Sequence, residues 1–149
     1  MGLPKKDQKA RILNFIICFA LMFQSASCFA EAAERQGVDP CLLEALAYVE
    51  SSMKPRAIRE PYTAGNTDGS TDYCLMQIND VELRALGMRP SQLLDDPCLC
   101  VHVGAWVLAK KIKSFGRTWR AVGAYNASTP SKQAIYVAKV QKRYAQICS

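Results

Sequence analysis

One glutamate, Glu50, stands where a carboxyl group could do chemistry. It closes a predicted helix, and Leu43, Leu46 and Ala47 lie seven, four and three residues before it. Residues at these separations share one helix face, so the carboxyl falls on the apolar stripe. Burial disfavours the charged form of a carboxyl, and the negative end of the helix dipole acts in the same direction. Glu50 is therefore expected to hold a proton near neutral pH, as does a glycosidase acid whose pKa is tuned to about 6. The alternative is a helix-end glutamate that rotates into water.

A second candidate segment is Cys-Leu-Met-Gln-Ile-Asn at residues 74–79. Leu75 and Ile78 can fill a core, while Gln77 and Asn79 offer amide groups. Amides suit sugar hydroxyls and N-acetyl groups because each amide presents both a donor and an acceptor. Taken alone, the segment equally fits a strand-like piece of core.

A third candidate segment is Ala-Val-Gly-Ala-Tyr-Asn-Ala at residues 121–127. Gly123 permits a close backbone approach, and Tyr125 and Asn126 place polar groups beside small residues. The plainer interpretation is a helix with a hydrogen-bonded tyrosine.

Metal and thiol chemistry fit the sequence poorly. His102 is the only histidine, and Cys98-x-Cys100 is not a zinc-ribbon spacing. A Cys100–His102 nucleophile pair is disfavoured because residues two apart on a helix do not face each other. We expect no cofactor and no metal.

The N-terminus has the order of a secretory signal. Four basic residues come first, Ile12 to Phe23 is almost wholly apolar, and small or polar residues follow. We predict a signal peptide over 1–27, with cleavage between Ser25 and Ala30, followed by one domain over 28–149. A membrane anchor is the alternative, but the apolar run is shorter than the roughly 20 residues that span a bilayer. Acylation at Cys28 is a weaker alternative. The prediction implies a periplasmic protein without a stable membrane span.

Composition narrows the class of partner. The chain of 149 residues has a formal net charge of +6, which falls to about +3 once the four Lys or Arg and one Asp of residues 1–27 are removed. A mild positive charge suits an anionic polymer surface. Nucleic acid is a poor fit because no basic stripe is interleaved with aromatic residues.

The cysteines predict disulfides. Beyond the signal lie six of them, an even number in an exported chain; they are Cys28, Cys41, Cys74, Cys98, Cys100 and Cys148. Six cysteines allow 15 pairings, and sequence spacing does not choose among them.

The remaining pattern is mostly helical. Asp39-Pro40 and Asp96-Pro97 each combine a capping aspartate with proline at the first helical position. Predicted helices cover 29–36, 41–50, 79 or 80 to 87, 97–115, 119–127 and a last one capped by Ser131. Residues 59–72 read as a polar loop with a small hairpin at Asp68-Gly69, and 90–96 as a connection. The fold class is mainly α, with at most a small β-hairpin.

The order of the three segments carries a resemblance. Glu50-Ser51, then Met-Gln-Ile-Asn (76–79), then Ala-Tyr-Asn (124–126) closely resembles the lytic transglycosylase domain of the soluble-transglycosylase type. The stretches ESSMKPRAI, DGSTDYCLMQIN and TWRAVGAYNA resemble its small, specialised branch, which accompanies secretion systems and type IV pili. The resemblance covers roughly residues 28–128.

This resemblance implies a lysozyme-like domain. It implies cleavage of the β-1,4 bond between N-acetylmuramic acid and N-acetylglucosamine of peptidoglycan strands, leaving a 1,6-anhydro end. Glu50 would be the single catalytic acid and base, Ser51 would support it, and a cleft would be lined by Met76, Gln77, Asn79, Tyr125 and Asn126. Tyr125 is the expected partner that steadies Glu50. Components of a secretion or pilus apparatus are further candidate partners, and Cys28–Cys98 is the implied disulfide.

The sequence departs from the family pattern at two positions, because the family usually has glycine in place of Cys74 and of Ser128.

Two other functions are rivals to the transglycosylase. A hydrolytic muramidase of the same fold would need Asp68 or Asp72 across the cleft from Glu50, although both also suit turns. The other rival is a glycan-binding assembly factor without activity.

Overall fold

The structure is a computed structural model that describes residues 28–63 and 69–148. The predicted signal segment and Asp68, with the hairpin turn predicted there, lie outside these residues. The described helices are α1 (residues 28–36), α2 (Pro40–Ser51), α3 (Asp80–Ala85), α4 (Pro90–Asp95), α5 (Pro97–Phe115), α6 (Trp119–Asn126) and α7 (Pro130–Ile147). The strands are β1 (Ile58–Arg59), β2 (Asp72–Tyr73) and β3 (Ile78–Asn79). The predicted mainly α, lysozyme-like fold class is confirmed, and none of the described helices is long and apolar enough to cross a membrane.

Two aspartates start the helices predicted from them. The Asp39 carboxylate accepts a hydrogen bond from the Cys41 backbone N–H at 2.9 Å at the head of α2. The Asp96 carboxylate accepts one from the Leu99 N–H at 3.0 Å at the head of α5. Each bond satisfies one of the backbone N–H groups that a helix start leaves without a partner.

Two other helix starts were predicted wrongly. Residues 90–95 are the helix α4 rather than a connection, and α7 begins after Thr129 with Pro130 at its first position, so Ser131 is not its cap. In both cases proline supplies a φ angle that already suits the first helical position. The missed signal was therefore a proline without a capping aspartate before it.

The sheet is a small antiparallel meander in the order β1-β2-β3. Arg59 pairs with Asp72, and Asp72 in turn pairs with Asn79. The apolar run from Tyr73 to Ile78 is not one strand, because residues 74–77 form a tight turn between β2 and β3. Cys74 and Gln77 of this turn have φ angles of 63° and 51°, a left-handed conformation that side chains other than glycine rarely adopt.

The core lies between α2, α5 and the turn at 74–77. Leu43, Leu46 and Leu108 are fully buried, and Met76 packs against α5 at Gly104. A Cβ atom at Gly104 would stand 2.6 Å from the Met76 methyl carbon. The turn can approach α5 this closely only because position 104 has no side chain.

Three disulfides tie the helices together. They join Cys28 to Cys98, Cys41 to Cys148, and Cys74 to Cys100. The expected use of cysteines in disulfides is confirmed, and every candidate cysteine has a partner. Because Cys100 is bonded, it has no thiol with which to act as a nucleophile.

We expect the Cys41–Cys148 bridge, which joins the first turn of α2 to the end of α7, to be a large contribution to the stability of the domain. It joins residues separated by 107 positions, and a cross-link over a long loop restricts the unfolded chain strongly. Replacing both cysteines by alanine should lower the free energy of unfolding by about 3–5 kcal/mol, measured by urea denaturation. An unchanged midpoint of urea denaturation would mean that residues 41 and 148 stay close together in the unfolded chain even without the bond.

Candidate active site

Glu50 lies in the last turn of α2 with its side chain 3% exposed. The Tyr136 hydroxyl donates a hydrogen bond of 2.6 Å to its Oε1, and the Asn126 side-chain amide donates a longer one of 3.5 Å to the same atom. The Arg59 guanidinium stands 3.6 Å from the other oxygen, Oε2. The prediction that Glu50 faces the protein interior, rather than water, is confirmed.

Four elements bring these groups together. Asn126 ends α6 and Tyr136 lies on α7, and the two helices pack closely where Gly123 faces Gln133. A Cβ atom at Gly123 would be 2.8 Å from the Gln133 Cβ, which accounts for the glycine in the 121–127 segment. Arg59 comes from β1, and its guanidinium also donates a hydrogen bond of 2.9 Å to the Glu50 backbone carbonyl.

The surroundings of Glu50 raise its pKa from an ordinary 4.5 to about 7. Burial is the largest cause, because a carboxylate loses its hydration there. The Tyr136 hydrogen bond and the Arg59 charge oppose burial, and the nearby Asp72 carboxylate adds to it. Near neutral pH the group can therefore both give and take a proton, which suits a general acid and base.

Tyr136 was not among the residues that the sequence singled out. Burial and the neighbouring Glu50 raise the pKa of its hydroxyl well above the usual range, so the hydroxyl keeps its proton and acts as the donor. We predicted this role for Tyr125, but the Tyr125 hydroxyl donates to the Met76 backbone carbonyl at 2.9 Å instead. Helical spacing puts Tyr136 on the apolar face of the last helix, and this spacing is the same for a core tyrosine and for one that contacts a carboxyl.

Ser51 and Tyr125 both hold the turn at residues 74–77. The Ser51 hydroxyl donates to the Leu75 carbonyl at 2.9 Å, one residue from the carbonyl that Tyr125 contacts. The carbonyl that Tyr125 contacts belongs to Met76, whose side chain is fully buried. These residues position the wall of the site, and their hydrogen-bonding groups are turned toward the protein.

Gln77 and Asn79 also have structural partners. The Gln77 amide donates to the Cys74 carbonyl at 2.9 Å, and the Asn79 side chain caps α3 by accepting from the Glu82 N–H at 2.8 Å. Both residues nevertheless line a small cleft of about 50 Å³ together with Tyr125 and Lys111. The structure thus places Asn126 at Glu50 itself, and Gln77, Asn79 and Tyr125 in a small cleft whose lining does not include Glu50.

The two departures from the family pattern have different surroundings. Cys74 adopts a left-handed φ of 63° and is fully buried against its disulfide partner Cys100. Glycine would take this conformation without strain, which explains why the position favours it. Ser128 is exposed, and its backbone carbonyl accepts a bond of 3.4 Å from Gln133.

A second carboxylate approaches the site. Asp72 on β2 is half-buried, and its Oδ2 lies 3.6 Å from the Arg59 guanidinium. Arg59 was missed in the sequence because its loop offers no periodicity that would show which way a side chain points.

Within residues 28–63 and 69–148, no group of three or more His, Cys, Asp or Glu side chains could hold a metal ion.

Comparison with known proteins places these features in a family. The transglycosylase SLT domain model matches residues 27–146. Invasion protein IagB of Salmonella typhimurium (strain SL1344) is 44% identical over 124 residues, which is 81% of this chain and 72% of the relative. Protein IpgF of Shigella flexneri is 35% identical over 147 residues, 94% of this chain and 93% of the relative. A peptidoglycan-binding-like protein of Escherichia coli O157:H7 is 33% identical over 141 residues, 89% and 84% of the two chains.

The buried carboxyl predicts a pH-dependent cost to stability. The pKa of Glu50 is about 7 in the folded protein against an ordinary 4.5, so between these values the folded state holds a proton that the unfolded state has lost. Stability contributed by this proton is present at low pH and is lost as the pH rises through 7. Glu50→Gln removes the titration. Its free energy of unfolding, relative to the unchanged protein, should therefore increase by on the order of 3 kcal/mol between pH 4 and pH 8.

Urea denaturation at pH 4, 6 and 8 measures this difference. Glu34→Gln, at an exposed position of α1, is the matched control for the loss of one negative charge. A Glu50→Gln effect that is the same at all three pH values would contradict the raised pKa.

Proposed function

We propose that this chain, which belongs to the transglycosylase SLT domain family and is a lytic transglycosylase, cleaves the β-1,4 bond between N-acetylmuramic acid and N-acetylglucosamine and leaves a 1,6-anhydro end. The observation that carries this proposal is the Glu50 carboxyl, buried beside Tyr136 and Asn126 with its pKa raised to about 7. A group of this kind can serve in turn as acid and as base at neutral pH.

The contacts of Glu50 suggest which of its oxygens reacts. Oε1 accepts hydrogen bonds from Tyr136 and Asn126, so the acid proton belongs on Oε2. In the first step Oε2 gives this proton to the glycosidic oxygen as the bond from that oxygen to muramic C1 breaks. In the second step the muramic C6 oxygen bonds to C1, and Glu50 takes the C6 hydroxyl proton. Glu50 is thereby restored and no water is consumed.

An internal nucleophile fits a site organised around one acid. The C6 hydroxyl belongs to the same sugar as C1, so it attacks without the entropy loss of bringing in a second molecule. Asn126 and Tyr136 hold the Glu50 carboxyl still through both proton transfers. In this proposal the glycan lies along the cleft that Gln77, Asn79 and Tyr125 line, while Ser51 and the buried Met76 hold the turn at residues 74–77 in place.

Hydrolysis is the second candidate function, and the position of Asp72 near Glu50 favours it. Asp72 and Glu50 each lie 3.6 Å from the same guanidinium, so the two carboxyl groups are within about 10 Å of each other. Glycosidases that hydrolyse their substrate use pairs of carboxyls separated by about 5–9.5 Å. Asp72 is therefore more than the turn residue that its sequence position suggested.

We place the enzyme in the periplasm, exported by the signal peptide predicted over 1–27. Three disulfides support an oxidising compartment. The similarity to an invasion protein supports a role in opening the wall locally for an envelope-spanning secretion or pilus system.

Product analysis tests the reaction. Purified, oxidised protein should release fragments with 1,6-anhydromuramic ends from isolated peptidoglycan, and Glu50→Gln should lower the rate at least about 100-fold because the acid proton is gone. Mass spectrometry separates anhydro ends from reducing ends, which are heavier by one water. Glu34→Gln is the matched control.

Three other outcomes would each count against part of this proposal. Reducing ends from the unchanged protein would make it a hydrolase. Equal rates with and without Glu50 would remove Glu50 from catalysis. No cleavage by either protein, together with binding to the wall, would favour the non-catalytic assembly factor.

The pH profile tests the role of Tyr136. If Glu50 acts first as an acid, kcat/KM falls as the pH rises above about 7 and the proton is lost. The Tyr136 hydrogen bond lowers the pKa of Glu50, so Tyr136→Phe should move this alkaline limb to higher pH. Tyr125→Phe is the control, because the Tyr125 hydroxyl donates to a backbone carbonyl rather than to Glu50. This variant can change the rate, but the alkaline limb of its kcat/KM profile should stay at the original pH. A Tyr136→Phe limb at the original pH would contradict the assignment.

A further inference from the structure

The Arg59 guanidinium lies between the two carboxyl groups of the site. One terminal nitrogen is 3.6 Å from Glu50 Oε2, and the other is 3.6 Å from Asp72 Oδ2. The exposed fractions of the three side chains are 25% for Arg59, 3% for Glu50 and 16% for Asp72. A positive charge is thus held, largely out of water, between the two carboxyl groups.

Backbone pairing fixes Arg59 in this position. Arg59 and Asp72 are direct partners in the β1–β2 register, and opposite charges on facing strand positions stabilise each other. The bond of 2.9 Å from the guanidinium to the Glu50 carbonyl anchors the other side of the group to α2. Arg59 therefore has little freedom to leave the gap.

Two nucleophiles could complete cleavage after Glu50 has protonated the leaving oxygen. In one course the muramic C6 oxygen bonds to C1 and Glu50 takes its proton, which gives the anhydro end. In the other course an Asp72 oxygen bonds to C1 as a glycosyl ester. Water then attacks C1, Glu50 takes a proton from that water, the ester bond breaks, and a reducing end is left. The second course needs the Asp72 carboxylate to reach C1.

We propose that Arg59 determines which product forms: its guanidinium pairs with Asp72 and fills the gap in front of it, so that the C6 hydroxyl completes the reaction. This inference rests on the proposed function and names the residue that selects between the anhydro and hydrolytic outcomes. An ion pair withdraws electron density from the carboxylate, and the body of the guanidinium occupies space that attacking water or an approaching sugar carbon would need. Arg59 acts through Asp72 and is a positioning residue.

The test compares product ratios rather than rates. Arg59→Met keeps much of the side-chain volume and removes the charge. It should raise the ratio of reducing to anhydro ends at least about tenfold, because Asp72 becomes able to attack. The double variant Arg59→Met with Asp72→Asn should return the ratio to that of the unchanged protein, since an amide cannot form the ester. Arg56→Met is the matched control: Arg56 is also paired with an aspartate, Asp95 at 2.8 Å, but is 69% exposed, and it should leave the ratio unchanged.

Arg59→Lys provides a second, milder variant. Lysine keeps the charge but presents one compact ammonium instead of a planar fork, so it cannot face both carboxyls at once. The ratio should rise severalfold, less than in Arg59→Met. If circular dichroism shows that the methionine variant does not fold, the lysine variant decides the question.

The outcomes separate this inference from the proposed function. Anhydro ends from the unchanged protein, with the same ratio in every folded Arg59 variant, would overturn the role of Arg59 and leave the proposed function standing. Reducing ends that persist in the double variant would also overturn it, because Asp72 would not be their source. Reducing ends from the unchanged protein would overturn both, since Arg59 would be present and hydrolysis would still occur.

Discussion

The site depends on a balance between the desolvation of one carboxyl and the few polar groups that reach it. Burial alone would drive the pKa of Glu50 higher, whereas the Tyr136 hydrogen bond and the Arg59 charge bring it back to about 7. A fully satisfied carboxylate would stay charged and be a poor acid, and an isolated one would hold its proton too firmly to serve as a base. Because the partners come from different parts of the chain, the domain must be folded before Glu50 acquires this pKa.

The turn at residues 74–77 links the sheet to this balance. It follows β2, which carries Asp72, and it is held by the Ser51 hydroxyl from α2 and the Tyr125 hydroxyl from α6. The same two helices deliver Glu50 and Asn126 to the site. A shift of the turn would therefore move the acid, its amide partner and the second carboxylate relative to one another. This explains why Gln77 and Tyr125, which were expected to face the glycan, donate hydrogen bonds to backbone carbonyls of the turn.

Features decided by local chemistry could be predicted from the sequence, and features decided by pairing across the fold could not. The capping aspartates before Pro40 and Pro97 and the glutamate on an apolar stripe are local patterns, and each was predicted. Tyr136 was missed because helical spacing does not distinguish a core tyrosine from one that contacts a carboxyl. Arg59 was missed because its direction follows from the β1–β2 register, which is set by the pairing of residues more than ten positions apart.

Cys74 shows how one position can reconcile a strained backbone with a stable site. A left-handed conformation costs a non-glycine residue about 1–2 kcal/mol, and glycine would avoid that cost. The bond to Cys100 closes a separation of 26 residues, and cross-links over loops of this size stabilise a fold by about 3 kcal/mol. The gain exceeds the cost, so cysteine in place of glycine can fix the turn more firmly than glycine would. A firm turn matters because residues on both sides of Cys74 belong to the site. Two residues after Cys74, the Met76 carbonyl accepts the hydrogen bond that orients Tyr125. Two residues before it, Asp72 faces Arg59.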